Sequence, residues 1–238
     1  MLWKKTWEPE AVLALIGGIV AAFFVGNVAA GLLLQAGVSG FKTELSIGTV
    51  LVSTLSFHGT AIVLGTVFLL SHGSDWRDVL GKNGWVSLGL ACGLLVAIAP
   101  VIIGLEYASE TILDKMHQPA DQQLAVKMIL DARTGMRVYL GVFAVVLAPV
   151  AEEFFFRGLL FSTAKQFGWP KLGWFGVSFL FALMHVNAPT FLPLFVLALA
   201  LTWLCEKTDG LLAPIIAHSL FNLANLIMLL LAEKPAAL

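Results

Sequence analysis

The feature that most narrows the fold is a series of seven apolar runs, near 11–36, 46–71, 84–106, 137–162, 172–188, 191–205 and 211–232. About 20 consecutive apolar residues carry a helix across the hydrocarbon core. The chain is therefore expected to be all-α: a polytopic transmembrane helix bundle of about seven to eight spans, forming a single membrane domain over 1–238. Composition agrees, with 59% of the 238 residues hydrophobic and 12% charged, against about a quarter charged in a soluble domain. Mean hydropathy is +0.91. A net charge of −1 offers no basic field to nucleic acid or anionic lipid, so no nucleic-acid partner is expected. Lys4 and Lys5 precede the first run as they would in a signal peptide, but the run is too long and lacks a clear small-residue cleavage site, so it is read as a retained span. Cys92 and Cys205 lie in different runs without CxxC spacing, which argues against a disulfide framework or a cysteine metal site.

Segment 107–135 breaks the apolar pattern. Glu110, Asp114, Lys115, Asp121, Lys127, Asp131 and Arg133 interleave with Ile112, Leu113, Met116, Leu124, Met128 and Ile129, the mark of an amphipathic, extramembrane interfacial segment broken at Pro119. For orientation, an internal N-terminus places Lys4, Lys5, Arg77, Lys82, Lys165, Lys171 and Lys207 on the cytoplasmic side, and leaves the short outer loops Lys42 and the terminal Lys234. That bias favours a cytoplasmic N-terminus in an integral membrane protein, of the plasma or inner membrane if the chain is bacterial.

Three ionisable groups sit inside the fourth run: Glu152, Glu153 and Arg157. A charge at that depth costs several kcal/mol unless it is paired or used. Glu153 and Arg157 are i,i+4 neighbours with the acid first, the favourable ion-pair order. Glu152 points roughly 100° away on the helix and is left free, the better candidate for a reactive carboxylate. Pro149 removes an amide three residues earlier and is expected to loosen the helix there, which membrane-buried backbone tolerates where it lines a cavity or is packed in protein.

Other runs add polar groups. His185 ends the fifth with Phe181 one turn before it, and His218 and Asn222 lie at i,i+4 on one face of the seventh. Counted from the cytoplasmic lysines, Glu152, His185 and His218 fall at roughly 10–20 Å depth. His58, near the middle of the second run, either lines a cavity or bonds between helices.

The set holds no activated serine or cysteine, but it can activate water. A carboxylate and a histidine, Glu152 and His185, can deprotonate it, while a protonated His218 and the Asn222 amide donate to the tetrahedral oxygen. Hydrolysis of a peptide bond within the membrane fits, and no cofactor is then required. A zinc ion held by Glu152, His185 and His218 is the alternative, although no HExxH helix is present. Gly37-Val38-Ser39-Gly40 spells a rhomboid-like GxSG but lies in a loop where glycine and serine are ordinary. A transporter or scaffold with a buried polar network is the non-enzymatic alternative, and no inverted repeat supports it.

The three elements Glu152-Glu153-x-x-x-Arg157, Phe181-x-x-x-His185 and His218-x-x-x-Asn222, in this order, together with Gly210-Leu-Leu-Ala-Pro214-Ile-Ile-Ala-His218, resemble the signature of the CPBP family of intramembrane proteases. That family includes the CAAX prenyl endopeptidases of the Rce1 type and bacterial Abi relatives. The resemblance covers about 137–225, which would form the catalytic core helices. It implies a site in a cavity opening toward the cytoplasm and a membrane-anchored peptide or protein substrate, prenylated or otherwise. It further implies Glu152 as catalytic carboxylate, His185 as its water-positioning partner, His218 and Asn222 as oxyanion donors, and Glu153 and Arg157 in support. The family is described both as metalloproteases and as metal-independent glutamate proteases, and the water-activation scheme favours the second.

Overall fold

The computed structural model describes residues 7–43, 46–81, 83–117 and 123–232, and among these every regular element is helical. In chain order they are α1 (Pro9–Gln35), α2 (Ile47–Ser71), α3 (Trp76–Leu80), α4 (Gly84–Lys115), α5 (Leu124–Asp131), α6 (Thr134–Gln166), α7 (Pro170–Met184), α8 (Ala188–Thr208) and α9 (Leu212–Ala232). Six of them, α1, α2, α4, α6, α8 and α9, are long and apolar enough to cross a membrane.

The fifth and sixth runs depart from the expected lengths. Helix α7 has 15 residues, about 22 Å of rise against a hydrocarbon core of about 30 Å. It stops at His185, where Val186 takes positive φ and the chain reverses. The sixth run, the shortest in the sequence, becomes the 21-residue α8. The reason is Pro189: a proline in the first turn of a helix forfeits an amide that has no helical partner anyway, so it opens α8 rather than preceding it.

Helices α6 and α8 form the centre. Half of the most apolar window of each is buried, against 17% for α1, α2, α4 and α9. The outer helices turn Phe24, Val25, Val63 and Val96 outward, as spans that meet lipid do. Two glycines permit close approaches. A Cβ on Gly65 would stand 2.4 Å from the Phe154 ring, so its absence lets α2 lie against α6 just beyond Glu153. One on Gly210 would stand 2.5 Å from Leu80 O, and here the α8–α9 turn is tied to α3 by Leu211 N–H donating to Val79 O.

Helix α4 runs unbroken past the third apolar run to Lys115. At 32 residues it is about 48 Å long, so its charged end from Glu106 emerges from the hydrocarbon. Residues 107–115 therefore belong to the helix of the third span. Pro119 and Asp121 lie outside the described residues, as do Lys4, Lys5, Lys82 and Lys234 among the orientation markers. The amphipathic α5 lays Met128 and Ile129 against Val50, Leu140 and Leu226, and Arg137 Nη2 donates to Leu130 O at 2.7 Å. This segment thus packs on the bundle. Gln123 Nε2 donates to Thr190 Oγ1 at 2.8 Å, bringing it over the start of α8.

Candidate active site

Helix α6 is not regular. Wide i→i+5 turns at Phe143–Leu147 and Phe154–Phe161 flank the short α-helical stretch Ala148–Glu153, a departure that recurs at functional sites. The first has a local cause. Ala148 N–H donates to Phe143 O, so in the same register residue 149 would serve Ala144 O, and Pro149 has no hydrogen to give. Asn222 Nδ2 supplies the missing donor to Ala144 O at 2.8 Å. One amide hydrogen of Asn222 is thus committed to α6, while its second N–H and its Oδ1 make no other bond among the described residues.

The two adjacent carboxylates occupy different environments. Glu153 and Arg157 are fully buried, with Nη1 donating to Glu153 Oε1 at 2.9 Å. Arg157 Nη2 also donates to Ala198 O at 2.8 Å, Nε to Thr202 Oγ1 at 3.4 Å, and the guanidinium lies 4.9 Å from the centre of the Phe181 ring. One side chain therefore ties α6 to α7 and α8. Glu152 remains 16% exposed. The i,i+4 spacing predicts this division, and the pair sits sealed while its neighbour keeps some exposure.

His218 connects the carboxylates. Its Nδ1 donates to Glu153 Oε1 at 2.9 Å, which turns Nε2 toward Glu152 Oε2 at 3.8 Å, beyond hydrogen-bond range. His58 approaches Glu152 from α2, with Nε2 3.0 Å from Oε1. The sequence leaves His58 between lining a cavity and bonding across helices; it bonds across helices, to the group of most interest. Its partner is 94 positions away, and no local spacing signals the contact.

His185 caps α7, its Nδ1 2.8 Å from Phe181 O and its ring packed on that of Phe181. Since a carbonyl only accepts, Nδ1 bears the hydrogen and Nε2 presents a lone pair. His185 is within electrostatic reach of Glu152 but makes no hydrogen bond to it. All three histidines are alike in this respect: Thr54 O, Phe181 O and Glu153 Oε1 take the Nδ1 positions and leave Nε2 for other use. Among the described residues no three His, Cys, Asp or Glu side chains stand where they could share a metal ion.

Fold and site together define a polytopic helical membrane protein with a carboxylate–histidine centre between α2, α6, α7 and α9. Residues 134–224 match the Rce1-like family model, described as Type II CAAX prenyl endopeptidase Rce1-like. All three motifs fall inside the matched stretch, while α1, α2 and α4 lie outside it. No curated protein and no solved structure matches the chain.

Proposed function

We propose that this chain is an intramembrane endopeptidase that hydrolyses a peptide bond in a membrane-anchored substrate, with a prenylated CAAX-type peptide as the first class to test. The observation that carries the reading is the contrast at adjacent positions: Glu153 sealed by Arg157 and His218, Glu152 16% exposed and free of any cation of its own helix. A structural charge cluster has no need of the second.

In this mechanism Glu152 takes a proton from water, with His185 Nε2 as a second acceptor orienting the same molecule. The water oxygen bonds to the carbonyl carbon and the carbonyl oxygen takes up the negative charge. His218 Nε2–H, protonated and balanced by the Glu153 carboxylate, donates to that oxygen with the uncommitted N–H of Asn222. On collapse the C–N bond breaks and the proton held by Glu152 passes to the leaving amine. The chain sits with its N-terminus in the cytoplasm, and its partners are the bilayer and the anchored peptide.

Purified protein in lipid vesicles, offered a prenylated CAAX peptide and an unprenylated lipid-anchored one, tests this by mass spectrometry. A C-terminal fragment released by wild type and absent with Glu152→Ala of retained fold is expected. Equal release by both proteins overturns the assignment, and absence of any cleavage favours the transporter or scaffold. Activity undiminished by a strong chelator is expected; activity lost to chelation and restored by zinc returns the zinc reading.

A further inference from the structure

Glu152 is held in place from a helix outside the family match. His58 sits in a wide turn of α2, Leu55–Gly59. Its Nδ1 lies 3.0 Å from Thr54 O, an oxygen that can only accept, so Nδ1 carries a hydrogen and Nε2 is the atom facing Glu152 Oε1 at 3.0 Å. A contact of that length between an imidazole nitrogen and a carboxyl oxygen is a hydrogen bond, with a proton held between the two atoms. The imidazole is itself fixed independently of Glu152. Phe57 and Phe143 meet it edge-on at 5.0 and 4.8 Å between ring centres, and the Thr54 carbonyl holds its far side.

The consequence lies at the other carboxyl oxygen. Glu152 Oε2 stops 3.8 Å from His218 Nε2, and His218 is tethered from behind by Glu153. Two strong potential partners are thus held just apart. With His58 removed, nothing restrains Oε1, and the carboxyl can swing toward His218 and close the gap as a direct ion pair, withdrawing the base from the place where it meets water. We propose that His58 is a positioning residue that pins one oxygen of Glu152 so that the other stays available between Glu152 and His218. The role rests on the protease reading and acts through Glu152; His58 itself touches no substrate.

The test uses the full-length chain in lipid vesicles and a membrane-anchored peptide cleaved by wild type. Displacing a catalytic group by about 1 Å costs on the order of 10²-fold in rate. His58→Leu is accordingly expected to lower kcat about 10²-fold, leaving KM within about twofold, since the residue does not bind substrate. His58→Gln, whose amide N–H reaches Glu152, is expected to recover kcat to within about 10-fold, while His58→Asn, shorter by one methylene, does not. Folding is followed by melting temperature. If His58→Leu does not fold, the Gln and Asn pair decides the matter: recovery by Gln alone supports the role, and equal activity of the two overturns it. A folded His58→Leu with wild-type kcat also overturns it. If wild type cuts nothing, the protease reading fails, and the contact is read separately from the ¹⁵N resonance of His58 Nε2. That resonance moves in Glu152→Gln if the pin exists and stays put if it does not.

Discussion

Glu153→Gln isolates charge from shape. The amide is the size of the carboxylate, and its oxygen can still accept from Arg157 Nη1 and His218 Nδ1, both now 2.9 Å from Glu153 Oε1. What disappears is the negative charge beside a guanidinium that has no exposure of its own. Leaving a buried charge uncompensated costs roughly 3–5 kcal/mol. The other Arg157 contacts, Ala198 O, Thr202 Oγ1 and the Phe181 face, supply dipoles but no counter-charge. For a chain of this size about 1 kcal/mol moves the melting temperature by about 2–4 °C, so a fall on the order of 10 °C is expected. Intrinsic tryptophan fluorescence during a thermal ramp in detergent reads it, the chain having seven tryptophans. The double variant Glu153→Leu with Arg157→Met removes both charges and is expected to recover most of the loss. An unchanged melting temperature would refute the reasoning, because Glu153 would then not be compensating the buried Arg157 that ties α6 to α8.

Three further outcomes follow from the same contacts. Asn222→Leu strips the donor from Ala144 O and is expected to cost about 1 kcal/mol; adding Pro149→Ala returns a backbone N–H and should restore the melting temperature without restoring activity. Gly65→Val places a Cβ 2.4 Å from the Phe154 ring, an overpacking worth about 1–3 kcal/mol, which Phe154→Leu in the same chain is expected to relieve in thermal unfolding. In a background with Cys92 and Cys205 replaced, single cysteines at the exposed Lys171 and Lys207 should react with an impermeant thiol reagent from one side of a sealed vesicle and one at Lys42 from the other; labelling of all three from one side contradicts the orientation.

Much of this molecule is legible in its amino-acid sequence. Apolar runs mark the helices because backbone in hydrocarbon has few alternatives. The i,i+4 spacing separates Glu153 from Glu152 because helical geometry is local. The limits appear where partners are distant. The contact of His58 with Glu152 joins helices through side-chain packing that no periodicity records. Pro149 announces a disturbed helix, but Asn222 as the donor that repairs it depends on how α9 crosses α6. The polar tail of α4 reads as a connection because its residues stop being apolar, although nothing in Tyr107 through Lys115 prevents the helix from continuing.

Glu152, as the group that handles the proton of water, is the centre of the proposed mechanism. The direct measurement is single-turnover cleavage of a membrane-anchored peptide by Glu152→Gln beside wild type, with melting temperatures taken on the same preparations. Loss of a general base lowers the rate by about 10²–10⁴-fold, and that loss is expected here with a melting temperature within a few degrees of wild type. Cleavage by folded Glu152→Gln at the wild-type rate would contradict the assignment.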